Sequence, residues 1–140
     1  MIELVIGEKG KGKSKTLVAK ANNDLKASGA QLAYIDINNK NLSELDSSIS
    51  LINVTEYNIK STEMFIGFMH GMLVLHKNLD KVFLDNFTSV AGVSTTEDIE
   101  KVINALSWLS QKCDVDFVIS LSTSEDELSD QLKELVTISL

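Results

Sequence analysis

The chain contains no proline and no arginine. Without proline, nothing in it forces a kink or a rigid linker. Without arginine, all 13 basic residues are lysines, so no planar guanidinium fork is available to clamp a phosphate. A single cysteine, Cys113, excludes an intrachain disulfide and suits a reducing interior. No apolar stretch approaches the roughly 20 residues that span a bilayer. Residues 1–6 form a short apolar run with no basic leader, which argues against a signal peptide. Positive charge is also scarce: 13 lysines face 20 acidic residues, for a net charge of -7 and a pI near 4.7. Nucleic acid needs a basic footprint, so it is not expected as the main ligand. Together these absences predict a cytoplasmic chain with no membrane span.

What remains is ordinary for a globular protein: 44% hydrophobic and 24% charged residues over 140 positions. That length predicts one domain, residues 1–140, with roughly 68–70% of its unfolded surface buried. No repeat, low-complexity tract or linker interrupts it. Apolar runs rich in β-formers alternate with helical patterns. Strands are expected at Ile2–Ile6, Gln31–Ile37, Leu51–Thr55, Lys81–Asp85, Asp116–Leu121 and Val136–Leu140. Helices are expected at Lys13–Ala27, closed by Gly29, at Ser61–Lys77, and at Thr95–Lys112 with Thr95 as cap. Ser124 and Glu127 stand at capping-box spacing before a short helix, and Asn38–Ser50 reads as a polar loop. Continuous apolar strands separated by helices predict a three-layer α/β/α sandwich around a mostly parallel sheet. Ligands of such sheets sit at the carboxyl ends of the strands.

Three of the chain's 7 glycines fall in one such place, in "LVIGEKGKGKS". Gly7-Glu8-Lys9-Gly10-Lys11-Gly12-Lys13-Ser14 fits G-x-x-x-x-G-K-[ST], the phosphate-binding loop or Walker A motif. Glycines let successive N–H groups curl around an anion, and the following helix aims its positive end at the same point. Lys13 is placed to reach the β- and γ-phosphates, and the Ser14 hydroxyl to ligate Mg²⁺. Lys9, Lys11 and Lys15 either add local positive potential or are simply solvated. A glycine-rich turn that happens to hold a lysine is the alternative, but the preceding strand and following helix favour the phosphate loop. "KVFLDNF" (Lys81–Phe87) supplies a matching Walker B pattern, an apolar strand ending in Asp85, which would hold the metal beside Ser14.

In this order of elements the chain resembles the RecA-like branch of P-loop ATPases, including the RadA and KaiC types. The likeness covers most of the chain: the loop, its helix, "AYIDIN", "VFLDNFTSV" and "DFVISLS". It implies a RecA-like P-loop fold binding ATP and Mg²⁺. It also implies a polar sensor at Ser120 or Ser122. The departures are as informative. Where these enzymes carry the glutamate that positions attacking water, this chain has Asn38. Where another branch places it, after the Walker B aspartate, the chain has Asn86. An asparagine can orient water but cannot take its proton. Asp36 and Glu56 are candidate substitutes, and the sensor strand lacks the family's glutamine. An arginine finger, worth about 10³–10⁵ in rate, cannot come from this chain or a copy of it. The expectation is therefore ATP·Mg²⁺ binding, with Lys13 and Asp85 as the catalytic pair and intrinsic hydrolysis below about 1 s⁻¹.

A small-molecule kinase would need arginine clamps and a lid, and neither is evident. A GTPase would show D-x-x-G after the strand, but Asp85 is followed by Asn86-Phe87-Thr88. A nucleotide-gated interaction module, with loops near Asp85–Thr96 engaging a protein partner or a second copy, is favoured by the missing glutamate and arginine. The segments matching the family's DNA-contacting loops, Asn86–Glu100 and Ser122–Asp130, contain no lysine. The apolar helix at Ser61–Lys77 carries a stripe of Met64, Phe68, Met72 and Leu75. Gly67 and Gly71 there would allow close helix approach, in the core or at an oligomer face. His70 and His76 are not spaced to share a metal, Cys113 is expected near a helix end, and Trp108 is expected on a buried face.

Overall fold

A computed structural model describes residues 1–140 throughout. The chain runs β1 (Ile2–Gly7), α1 (Lys13–Ser28), β2 (Leu32–Asp36), β3 (Ser50–Asn53), α2 (Thr62–Leu75), β4 (Lys81–Leu84), α3 (Phe87–Ala91), α4 (Thr96–Cys113), β5 (Asp116–Ser122), α5 (Asp130–Lys133) and β6 (Val136–Ser139). Short 3₁₀ turns follow β3 and β5. The six strands form one sheet in the order β3-β2-β4-β5-β1-β6, and every neighbouring pair is parallel. The central strands β2, β4 and β5 are buried on both faces, which is why they read as unbroken apolar runs.

Alternation along the strands divides the core in two. Val5, Leu32, Tyr34, Phe83 and Val118 face α1, whose Leu17, Val18 and Ala21 pack on them with Leu45 and Ile49. Leu4, Ile6, Ile35, Leu84, Phe117 and Ile119 face the opposite layer, built from α2, α3 and α4. Each fully buried Leu, Ile or Phe is worth about 1.5–3 kcal/mol relative to exposure, so this pattern fixes both layers and register. The helix ends follow local chemistry. Gly29 closes α1 in the left-handed region, φ +65°, and its N–H donates to Leu25 O. The Ser61 hydroxyl accepts from Met64 N–H at the start of α2, and that of Thr95 accepts from Asp98 N–H at the start of α4.

Several details differ from the sequence reading. The strand expected at Leu51–Thr55 ends at Asn53, because Asn53 Oδ1 accepts from the N–H and hydroxyl of Thr55 and starts a 3₁₀ turn. Ser124 makes no capping bond, and Glu127 instead receives the Thr123 hydroxyl at 3.3 Å. Gly67 and Gly71 face open space, so they do not serve close helix approach in the core. Trp108 is 57% exposed, not buried. It stacks on His70 of α2 across the outside of the α2–α4 pair, with ring centroids 6.2 Å apart. No helix is long and apolar enough to cross a membrane.

Candidate functional site

β1 ends at Gly7, and residues 8–12 turn back over the carboxyl edge of the sheet before α1 begins at Lys13. Gly10 and Gly12 take φ values of +86° and +88°, a region that costs an L-residue roughly 1–2 kcal/mol. Lys11 N–H donates to Glu8 O at 3.2 Å and closes the turn. Gly12 is the N-cap of α1 and has no side chain to bond the first helical N–H groups, so a 16-residue helix starts uncapped. Its free N–H groups and the positive end of its dipole point into the loop. Lys13 Nζ lies back over the loop, donating to Glu8 O at 3.0 Å. Partial burial lowers its proton affinity, and the nearby Asp85 carboxylate opposes that shift.

A cavity of about 530 Å³ opens beside this loop at the carboxyl ends of the strands. Only Ile37 and Phe87 among its 13 lining residues are hydrophobic, so it suits a polar occupant. Lys9 and Ser14 line it from the loop and α1. Asp36, Asn38, Lys40 and Asn41 line it from the end of β2 and the loop after it, Asn86, Thr88 and Ser89 from the start of α3, and Ser120 and Ser122 from β5. The structure thus brings Lys9 and Ser14 to the cavity wall, whereas Lys13 and Asp85 lie outside its lining. Lys11 and Lys15 are exposed and do not line it, Lys15 lying on the outer side of α1 with Lys20 and Asn23.

Behind the wall lies a buried hydrogen-bond network. Asp85 is 1% exposed. Its Oδ1 accepts from Ser120 Oγ at 2.8 Å and from Asn86 N–H at 2.9 Å, and its Oδ2 accepts from the Tyr34 hydroxyl at 2.8 Å. Burial first, then Asp85, pushes the Tyr34 phenol well above its ordinary acidity range, so it stays a neutral donor. Asn86 sits at φ +50°, a conformation asparagine tolerates better than most residues. It caps α3 without a side-chain bond, and its Nδ2 instead donates to Asp36 Oδ1 at 2.8 Å. Asp36 Oδ1 also accepts from Ile37 N–H at 2.7 Å. Burial raises the proton affinity of Asp36; bonds from Asn86 and Ile37 oppose this, Asp85 adds to it, and Asn41 opposes it weakly.

Asn38 and Asn86, which stand where related enzymes carry a glutamate, both line the cavity. Glu56 does not. It is exposed and accepts from Asn39 Nδ2 at 2.8 Å outside the site, which removes it as a candidate water-positioning group. Sequence reasoning missed Tyr34 and the Asn86 bridge. The only signal for Tyr34 was its position two residues before Asp36, on the same face of the strand.

No known protein-family model matches the chain, and no curated protein matches it. Among solved structures it is similar to a DNA replication initiation factor, at 18% sequence identity and a TM-score of 0.44. The match covers 99% of this chain and 39% of that one, so the chain spans about two fifths of that protein's length.

Proposed function

We propose that the chain is a P-loop domain, of RecA-like type, that binds a nucleoside triphosphate, ATP by resemblance, together with Mg²⁺, and hydrolyses it slowly. One observation carries the reading. The G-x-x-x-x-G-K-S segment lies between a parallel strand and an uncapped helix, with Gly10 and Gly12 in the left-handed region, a form whose N–H groups cradle phosphate. Gly7 to Ser14 wrap the phosphates. Lys13 exchanges its bond to the neutral Glu8 carbonyl for the stronger charge-assisted bonds of a β- or γ-phosphate.

The donor set beside the loop suits Mg²⁺, a hard ion that prefers oxygen. Ser14 offers a hydroxyl, and the Asp85 carboxylate is held in one orientation by Tyr34, Ser120 and Asn86. When bound, the ion neutralises charge on the β- and γ-phosphates. Ser120, pinned between Asp85 and Asn86 N–H, occupies the sensor position. With no arginine in the chain, transition-state charge is met without a guanidinium, by Lys13, helix N–H groups and the bound ion, which keeps turnover low.

Calorimetric titration of a triphosphate into wild type and Lys13→Ala tests this. Loss of a charge-assisted bond of about 1.5–3 kcal/mol weakens binding by roughly 10- to 150-fold. Equal affinities would overturn the loop assignment. A second reading, a nucleotide-gated interaction module, draws on one further contact. The segment after Asp85 is tied to the start of α2, where Thr62 Oγ1 donates to Ala91 O at 2.8 Å. The outer face of α2 exposes Met64, Val74 and Leu75, a surface for a protein partner or a second copy.

A further inference from the structure

Every buried polar side-chain atom in the protein has a hydrogen-bond partner except one, Asp36 Oδ2. Its carboxylate is 1% exposed and tethered on the other side, where Oδ1 accepts from both Asn86 Nδ2 and Ile37 N–H. A half-satisfied buried carboxylate is costly, and such atoms persist where something else is meant to meet them. Asp36 belongs to the wall of the polar cavity that also holds Ser14, and it is the only acidic residue there. The alternatives are spoken for. Asp85 is bonded at both oxygens, Glu56 is engaged outside the cavity, and Asn38 and Asn86 are amides that cannot accept a proton.

We propose that Asp36 is the catalytic base of this site, a role that rests on the nucleotide-binding reading above. Its Oδ2 receives the proton of the water that attacks the terminal phosphate. The water oxygen bonds to the γ-phosphorus as the bond from that phosphorus to the β–γ bridging oxygen breaks. The electron pair of the broken bond leaves on the nucleoside diphosphate. The proton taken by Asp36 returns to solvent, and the products are the nucleoside diphosphate and inorganic phosphate. The Asn86 amide fixes the carboxylate while leaving Oδ2 free.

The test pairs two measurements on wild type and Asp36→Asn: calorimetric binding of a non-hydrolysable ATP analogue, and single-turnover hydrolysis of ATP with protein in excess over a range of Mg²⁺. Asp36→Asn is expected to bind the analogue within about threefold of wild type and to hydrolyse at least about 100-fold more slowly at every Mg²⁺ concentration. Asp36→Ser removes the carboxylate with a smaller side chain and carries the same expectation should the amide variant fail to fold. If wild type does not bind the analogue, the nucleotide-binding reading falls and this role with it. If wild type binds but the variants hydrolyse within threefold of it, only the role of Asp36 is overturned. The role is equally overturned if raised Mg²⁺ restores the variant's rate, or if wild type shows no hydrolysis in a single turnover.

Discussion

Replacing Tyr34 with phenylalanine isolates one bond beneath the site. The ring is fully buried and stacks on Phe83 at a centroid distance of 6.1 Å and an interplanar angle of 13°. Phenylalanine keeps that packing and the residue's place in the smaller core, so no cavity of consequence opens. What goes is the 2.8 Å bond from the phenol to Asp85 Oδ2, an oxygen with no other partner in the network. Hydrogen bonds to charged groups contribute about 1.5–3 kcal/mol, and the orphaned acceptor keeps its desolvation penalty. A loss of about 2 kcal/mol is therefore expected. With an unfolding entropy of about 2.1 cal/mol/K per residue, this lowers Tm by roughly 7 °C for a chain of this length. Urea unfolding at an unchanged m-value and calorimetry give two independent readings. In an Asp85→Asn background the same change has no charged acceptor to orphan, so the two substitutions should couple by about 1 kcal/mol or more. A Tm shift below about 1 °C, or strict additivity with Asp85→Asn, would refute the claim that Tyr34 holds this carboxylate.

Two further predictions concern the loop and the second carboxylate. Gly12→Ala places a methyl group where nothing lies within 4 Å, so its effect comes from the backbone at φ +88° alone. It should cost about 1–2 kcal/mol of stability, or reshape the loop and weaken triphosphate binding at least about tenfold; a variant unchanged in both Tm and calorimetric affinity contradicts the geometry. For Asp36, burial lifts the carboxyl above its ordinary value of 3.8, so the folded state keeps its proton to higher pH than the unfolded chain. Its contribution is fully present below that ordinary value and is lost as pH rises through the raised one. Wild type should therefore lose stability relative to Asp36→Asn as pH rises above the ordinary value of 3.8, and a Tm difference that stays flat as pH rises from there would contradict the upward shift.

The strand–loop–helix at residues 2–28 was legible because each part has a local cause: a doubly buried strand, glycines where φ must be positive, and a glycine stop. Thr95 was legible as a cap for the same reason. α3 was not, since five residues carry no helical period and its start depends on the left-handed turn at Asn86. Trp108 misled because α4 buries Val102, Ile103, Leu106 and Leu109, and an aromatic one position from that stripe reads as core. It lies at the rim instead, covered on one side by His70. Of the proposed site, Lys13, Ser14 and Asp85 were visible as a motif. Tyr34 and the Asn86 bridge were not, because their roles depend on which strands lie side by side, and no spacing in the sequence records that.

Strand register supplies what the motif does not. Ile35 pairs with Leu84, and Leu84 with Ile119, so the next residues, Asp36, Asp85 and Ser120, form one row across three strands. Side chains alternate along a strand, and all three therefore point to the α1 face where the loop lies. Tyr34 stands two residues before Asp36 on that same face, which lets its hydroxyl reach Asp85 from beneath. A one-residue slip of β2 would bring Ile37 to the site and turn Asp36 toward the larger core. There the carboxylate would meet the apolar residues that now surround Ile35 and Leu84, without the Asn86 amide that now bonds it. Burying an unpaired charge among such neighbours costs several kcal/mol. The apolar alternation that builds the two cores thus also fixes the row of polar side chains, and the orphaned oxygen of Asp36 is a consequence of that register.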